Sequence, residues 1–162
     1  TRVGLGVRDV GILLGAQTVG ALASNALWGI IGDQYGKLAL LQAVGRFRLV
    51  PPLAGIAIFA AATNIAPSAT LLAFAVLFVF LGALMNGMTI GYLGYLMEIS
   101  PNDRRPAYSA YFNALASPAA LLPLAGAVLA DVFSLVMIFV VALLAAVLQL
   151  VFYKRLSRWE GE

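Results

Sequence analysis

The 162-residue sequence contains no cysteine and no histidine, and only 10% of it is Asp, Glu, Lys or Arg. Each shortage closes off a class of function. Without cysteine there is no disulfide framework and no thiol nucleophile. Without histidine there is no Ser-His or Cys-His arrangement, and most metal sites are gone. No cofactor, metal or enzymatic reaction is therefore expected. Ordinary globular proteins are about 25% charged. A chain this long could build a core, yet it has too little charge to cover one, so the remaining surface must face lipid. Hydrophobic residues make up 62% of the sequence. The pI of about 9.5 raises the question of nucleic acid. The cations instead stand at the ends of apolar stretches with few aromatics among them, so no nucleic-acid partner is expected.

The few charges divide the chain. Asp9 and Asp33 enclose 23 uncharged residues, Arg48 and Glu98 enclose 49, Arg105 and Asp131 enclose 25, and Asp131 and Lys154 enclose 22. One helix needs about 20 apolar residues to cross a bilayer core. Three gaps hold one crossing each, and the long one holds two, broken at residues 63–68. The expected fold is all-α: a polytopic bundle of five membrane-spanning helices in a single transmembrane domain, 1–162. The helices are expected at about 10–32, 40–63, 69–98, 104–130 and 133–156.

Five crossings put the termini on opposite sides. Lys37, Arg46, Arg48, Arg104, Arg105, Lys154, Arg155 and Arg158 share one side, against Arg2 and Arg8 on the other. By the positive-inside rule the first side is cytoplasmic, which makes the C-terminus cytoplasmic in an integral, multi-pass plasma (inner) membrane protein. Residues 38–48 read as a helical approach along the interface, with Arg46 and Arg48 snorkelling and Pro51-Pro52 where the helix enters the bilayer. A deeper Arg has no acidic partner nearby in sequence. Ser68 is the expected N-cap of the third helix, and Asn102 or Asp103 that of the fourth. Tyr153 and Trp159 are expected as interfacial anchors. Pro118 and Pro123 should kink the fourth helix. The pairs Gly11/Gly15, Gly32/Gly36 and Gly87/Gly91, with Gly20/Ser24, are spaced for close helix packing.

Asp33 and Glu98 close two helices at C-termini, where the macrodipole disfavours negative charge by about 0.3–1 kcal/mol. Compensation is expected from Lys37, Arg104 and Arg105. The run Gly29-Ile30-Ile31-Gly32-Asp33-Gln34-Tyr35-Gly36-Lys37 resembles the signature loop of the major facilitator superfamily. Gly29, Gly32, Asp33, Tyr35 and Gly36 match it, whereas Gln34 and Leu38 each lose a cation. Glu98-Ile99-Ser100-Pro101-Asn102-Asp103-Arg104-Arg105 is similar to the Glu-x-x-Pro-x-x-x-Arg element after that superfamily's tenth helix. Residues 5–11 resemble the loop before its eighth.

The resemblance implies that the chain forms most of the C-terminal half of a major-facilitator fold, helices eight to twelve of twelve, with an N-terminal half as its missing partner. The start at Thr1, without an initiator Met, fits a fragment or one member of a split system. It further implies a secondary transporter moving a small-molecule substrate by alternating access. Gly29, Asp33, Gly36, Lys37, Glu98, Arg104 and Arg105 would form a conformational latch. Intramembrane polar residues are the place to seek a substrate site. Asn86 and Thr89 are the leading candidates because the tenth helix lines the cavity in that superfamily. Gln17 and Asn25 follow, with interhelical hydrogen bonding as their competing role. The alternative is a structural or regulatory membrane subunit that transports nothing.

Overall fold

The computed structural model describes residues 7–62 and 64–159, the side chains of Leu135 and of residues 157–159 excepted. Arg2, the first part of the 5–11 motif, and the side chains of Arg158 and Trp159 therefore lie outside the described residues. Among the described residues the elements are all helical: α1 (Val7–Gln34), α2 (Lys37–Phe47), α3 (Val50–Ala61), α4 (Pro67–Ile99), α5 (Arg105–Ala116), a 3-10 segment (Ser117–Leu121), α6 (Leu122–Val132) and α7 (Leu135–Trp159). No strand occurs among the described residues. Five spans are long and apolar enough to cross a membrane: 7–34, 37–61, 67–99, 105–132 and 136–156. Side chains such as Leu14, Leu22, Leu121, Leu124 and Leu148 are more than half exposed. In water so much apolar surface would aggregate, whereas lipid accepts it.

Helix α4 is the hub. α1, α2 and α3 pack on it, while α7 packs on α2, α3 and α6. The buried positions of α1, Leu13, Gly20, Ser24, Trp28 and Gly32, recur every four or seven residues, which makes one helical stripe. Trp28, Leu40, Val44 and Leu84 form the core, flanked by Ile31, Phe80, Met88 and Ile90.

Room for that core comes from glycines along α4. A Cβ at Gly82 would overlap the Gln17 carbonyl, one at Gly87 would stand 2.7 Å from the Trp28 ring, and one at Gly91 2.8 Å from Leu41. At Gly94 it would stand 2.9 Å from the stem of Lys37. Gly20 answers Gly82 from α1, since its Cβ would overlap the Val79 carbonyl. Close backbone approach of this kind is how helices associate where lipid removes the hydrophobic drive. The fourfold spacing was thus an incomplete guide. Gly11 and Gly15 face open space, and Gly36 serves a turn.

The second crossing differs from expectation. α2 begins at Lys37 and lies inside the bundle, with Leu40 and Val44 fully buried, so residues 38–48 are no peripheral approach. The break falls at Arg48-Leu49, where both residues keep right-handed helical angles. Pro51 and Pro52 have no N–H to offer the carbonyls one turn back. The helix therefore kinks without leaving the bundle.

Two caps also differ. Ala66, extended at ψ 145°, precedes Pro67, which opens α4. A proline in the first turn needs no N–H partner, and this fixes the start before Ser68 is reached. Arg104 precedes α5, and neither α4 nor α5 has a side-chain N-cap bond. The fourth crossing is not one α-helix: Pro118 and Pro123 flank and interrupt its backbone ladder, and the 3-10 segment joins its halves.

Candidate functional site

The turn between α1 and α2 is built on one conformation. Gly36 adopts φ +86°, ψ 161°, a region that a Cβ makes costly. This reverses the chain within two residues. Lys37 then falls one turn beyond Asp33, and its Nζ lies 2.8 Å from the Asp33 carboxylate. The carboxylate is 77% exposed, while the lysine is only 20% exposed. The lysine stem runs over Gly32 and Gly94 and delivers its ammonium to the carboxylate from below. Lys37 thereby offsets the unfavourable dipole at the end of α1. Gly29 has open space beside it.

The second charged group does not assemble as expected. Arg104 pairs with the adjacent Asp103 at 3.6 Å, both well exposed. Glu98 is exposed at the end of α4 and forms no ion pair with Lys37, Arg104 or Arg105 among the described residues. Lys37 is already committed to Asp33, Arg104 is held by its neighbour, and a solvated Glu98 gains little from a further pairing. Ser100, which closes α4, donates instead to the Leu96 carbonyl.

The four intramembrane candidates divide by partner. Asn86 Nδ2 donates to Asn25 Oδ1 across α4 and α1 at 2.9 Å. Gln17 Nε2 donates to the Met85 sulfur at 2.9 Å along the same seam. Both contacts are interhelical ties, each worth about 0.6 kcal/mol in a bilayer. Thr89 donates back to the Met85 carbonyl of its own helix. On the lower part of α4, Tyr92 stacks on Phe112 of α5 at 5.1 Å.

Thr89 also borders a cavity of about 430 Å³ between the α2–α3 kink, α4 and α7. Arg48, Pro51, Met85, Met88 and Gln149 line it too. Arg48 Nη1 donates to Gln149 Oε1 at 2.9 Å and approaches the Met88 sulfur at 3.4 Å. Gln149 Nε2 in turn donates to the Tyr153 hydroxyl at 2.7 Å. Arg48, though exposed, is thus tied to α7 in mid-span rather than at the interface, and Tyr153, half-buried, bonds to Gln149. Arg48, Gln149 and Met88 escaped the sequence reading because it sought an acidic neighbour close in the chain. The partner is a neutral amide 101 residues away. The available signal was Gln149, the one amide side chain between Asp131 and Lys154.

No group of three or more Asp or Glu residues placed to hold a metal occurs among the described residues. Comparison of the chain with family models, curated proteins and solved structures finds no match to any of them.

Proposed function

We propose that the chain is most of the C-terminal half of a secondary transporter of the major facilitator type, moving a small solute by alternating access with a companion N-terminal half. The turn at 29–37 carries this reading. A glycine-only backbone at Gly36 holds an exposed carboxylate, Asp33, at a helix end, with a lysine clamped beside it. A carboxylate in that position is presented outward, where the N-terminus of a companion helix would meet it when the inward side closes. The charge bias supports a cytoplasmic position for this turn and the C-terminus.

In the complete carrier, Asp33→Asn is expected to shift the population toward the inward-open state. The stability of this half should change by less than about 1 kcal/mol, because the ion pair is largely exposed. Labelling of single cysteines on both faces reads the shift. Equal accessibility in wild type and variant would count against the latch.

A second reading, a membrane subunit that transports nothing, draws support from the Asn25–Asn86 tie, which uses two candidate substrate groups for packing. Co-expression with a companion half separates the two. Uptake only in the combined case favours the carrier; a stable assembly without flux favours the subunit.

A further inference from the structure

We propose that the cavity beside Arg48 is a binding site for an organic anion, with the anionic group on the guanidinium and an apolar body against Pro51, Pro52, Leu84 and Ala146. Three observations carry it. First, Arg48 lies deep. It stands eleven residues into the 37–61 span and its neighbour Met88 eleven residues before the end of α4. The midpoints of these spans are residues 49 and 83, so at 1.5 Å per residue Arg48 lies about 2 Å and Met88 about 8 Å from the middle of its helix, within the roughly 15 Å half-thickness of a hydrocarbon core.

Second, no side chain neutralises it. Every acidic residue among the described ones stands at a helix end or in a loop: Asp9, Asp33, Glu98, Asp103 and Asp131. The Arg48 contacts are the Gln149 amide oxygen and a thioether, both neutral. A guanidinium has five N–H donors, so most of its capacity is unspent. A counter-charge at this depth has to come from outside the described chain.

Third, the space fits. A cavity of about 430 Å³ lies within the range of small-molecule sites, roughly 300–1,000 Å³. Its lining is mostly Pro, Leu, Ala and Met. A carboxylate or phosphate on an apolar body satisfies both the charge and the lining, and Arg is the residue that binds such groups with two parallel donors. The anion can be a dissolved solute or a lipid headgroup.

The test uses the chain in nanodiscs, with empty discs as blanks, and 4-phenylbutyrate and 4-phenylbutyramide as probes. In pure phosphatidylcholine discs the acid is expected to bind saturably and about tenfold or more tighter than the amide. Arg48→Gln should lose that preference, and Arg48→Lys, which keeps the charge but not the two parallel donors, should retain only part of it. A second arm adds phosphatidylglycerol. Its displacement of phenylbutyrate, with retention of the lipid by wild type but not by Arg48→Gln in native mass spectrometry, identifies the headgroup as the source. Displacement-free binding identifies the solute.

Equal affinity for acid and amide, an unchanged Arg48→Gln variant, or no binding in either arm would overturn the proposal. The acid–amide contrast in wild type decides even if Arg48→Gln does not fold. The site rests on the fold and on membrane embedding, not on the carrier reading. Binding by the chain, with no uptake when it is co-expressed with a companion half, would sink the carrier and leave the site.

Discussion

Replacing Gly82 by Ala probes the closest approach in the bundle. The added methyl would overlap the Gln17 carbonyl and stand 2.7 Å from its carbon and 3.0 Å from the Ala21 nitrogen. All three are backbone atoms, so no rotamer change relieves the overlap. Ordinary carbon contacts lie near 3.5 Å, so α1 and α4 must separate by about 0.8 Å or more. A gap of 0.5–1 Å forfeits about a quarter to a half of each contact it opens. The separation also strains three ties on that seam: Gln17–Met85, Asn25–Asn86 and the Trp28 indole N–H to the Ala83 carbonyl at 2.7 Å.

Overpacking costs about 1–3 kcal/mol. Separated helices stay helical in a membrane, so the higher helix propensity of Ala offsets little of it. Gly15→Ala is the control, on the same helix pair but with open space around the position, and should change stability by no more than about 0.5 kcal/mol. Equilibrium unfolding in mixed micelles titrated with dodecyl sulfate measures both, with the emission of Trp28, buried on that seam, as the signal. If the two variants unfold at the same detergent fraction, the close crossing of α1 and α4 is wrong.

Three further expectations follow from the same packing. Trp28→Phe should cost about 0.5–1.5 kcal/mol through the lost bond to Ala83, and buried Trp28 emission should be blue-shifted in wild type, a difference readable in fluorescence against this variant. A double-mutant cycle of Asn25→Ala and Asn86→Ala should yield about 0.6 kcal/mol of coupling in the micelle assay, whereas additive effects would dissolve the tie. Because the sequence has no cysteine, Asn64→Cys and Asn102→Cys can be labelled directly in oriented membranes. Only Asn102→Cys should be protected from an impermeant maleimide added outside.

The spans were legible because a charge in lipid is expensive, so the gaps between charges mark most of the helices; α2 breaks that rule, starting at Lys37 and carrying Arg46 and Arg48 inside the span 37–61. What the sequence could not reveal is pairing across distance. Asn25 and Asn86 stand 61 residues apart, and nothing local to either names the other. Arg48 failed for a related reason: its partner is neutral, and a search for opposite charge passes over Gln149. Gly82 and Gly94 were missed because α4 places its contact glycines five, four and three residues apart. A rule of four finds only Gly87 and Gly91. Pro51-Pro52 announced a disturbance correctly but not its depth, which depends on α2 sinking between α4 and α7.

The 3-10 segment at 117–121 resets the phase of the fourth crossing. Each residue there advances by 120° rather than 100° and rises about 2.0 Å rather than 1.5 Å. Over five residues α6 is wound about 100° ahead of where an unbroken helix would carry it, and pushed out by about 2.5 Å. A single helical wheel drawn through 105–132 therefore misplaces the outer half by more than a quarter turn. Any neighbour gripping Tyr111 and Leu115 along one flank meets a different flank above Pro118. The two halves of that rod are addressed separately.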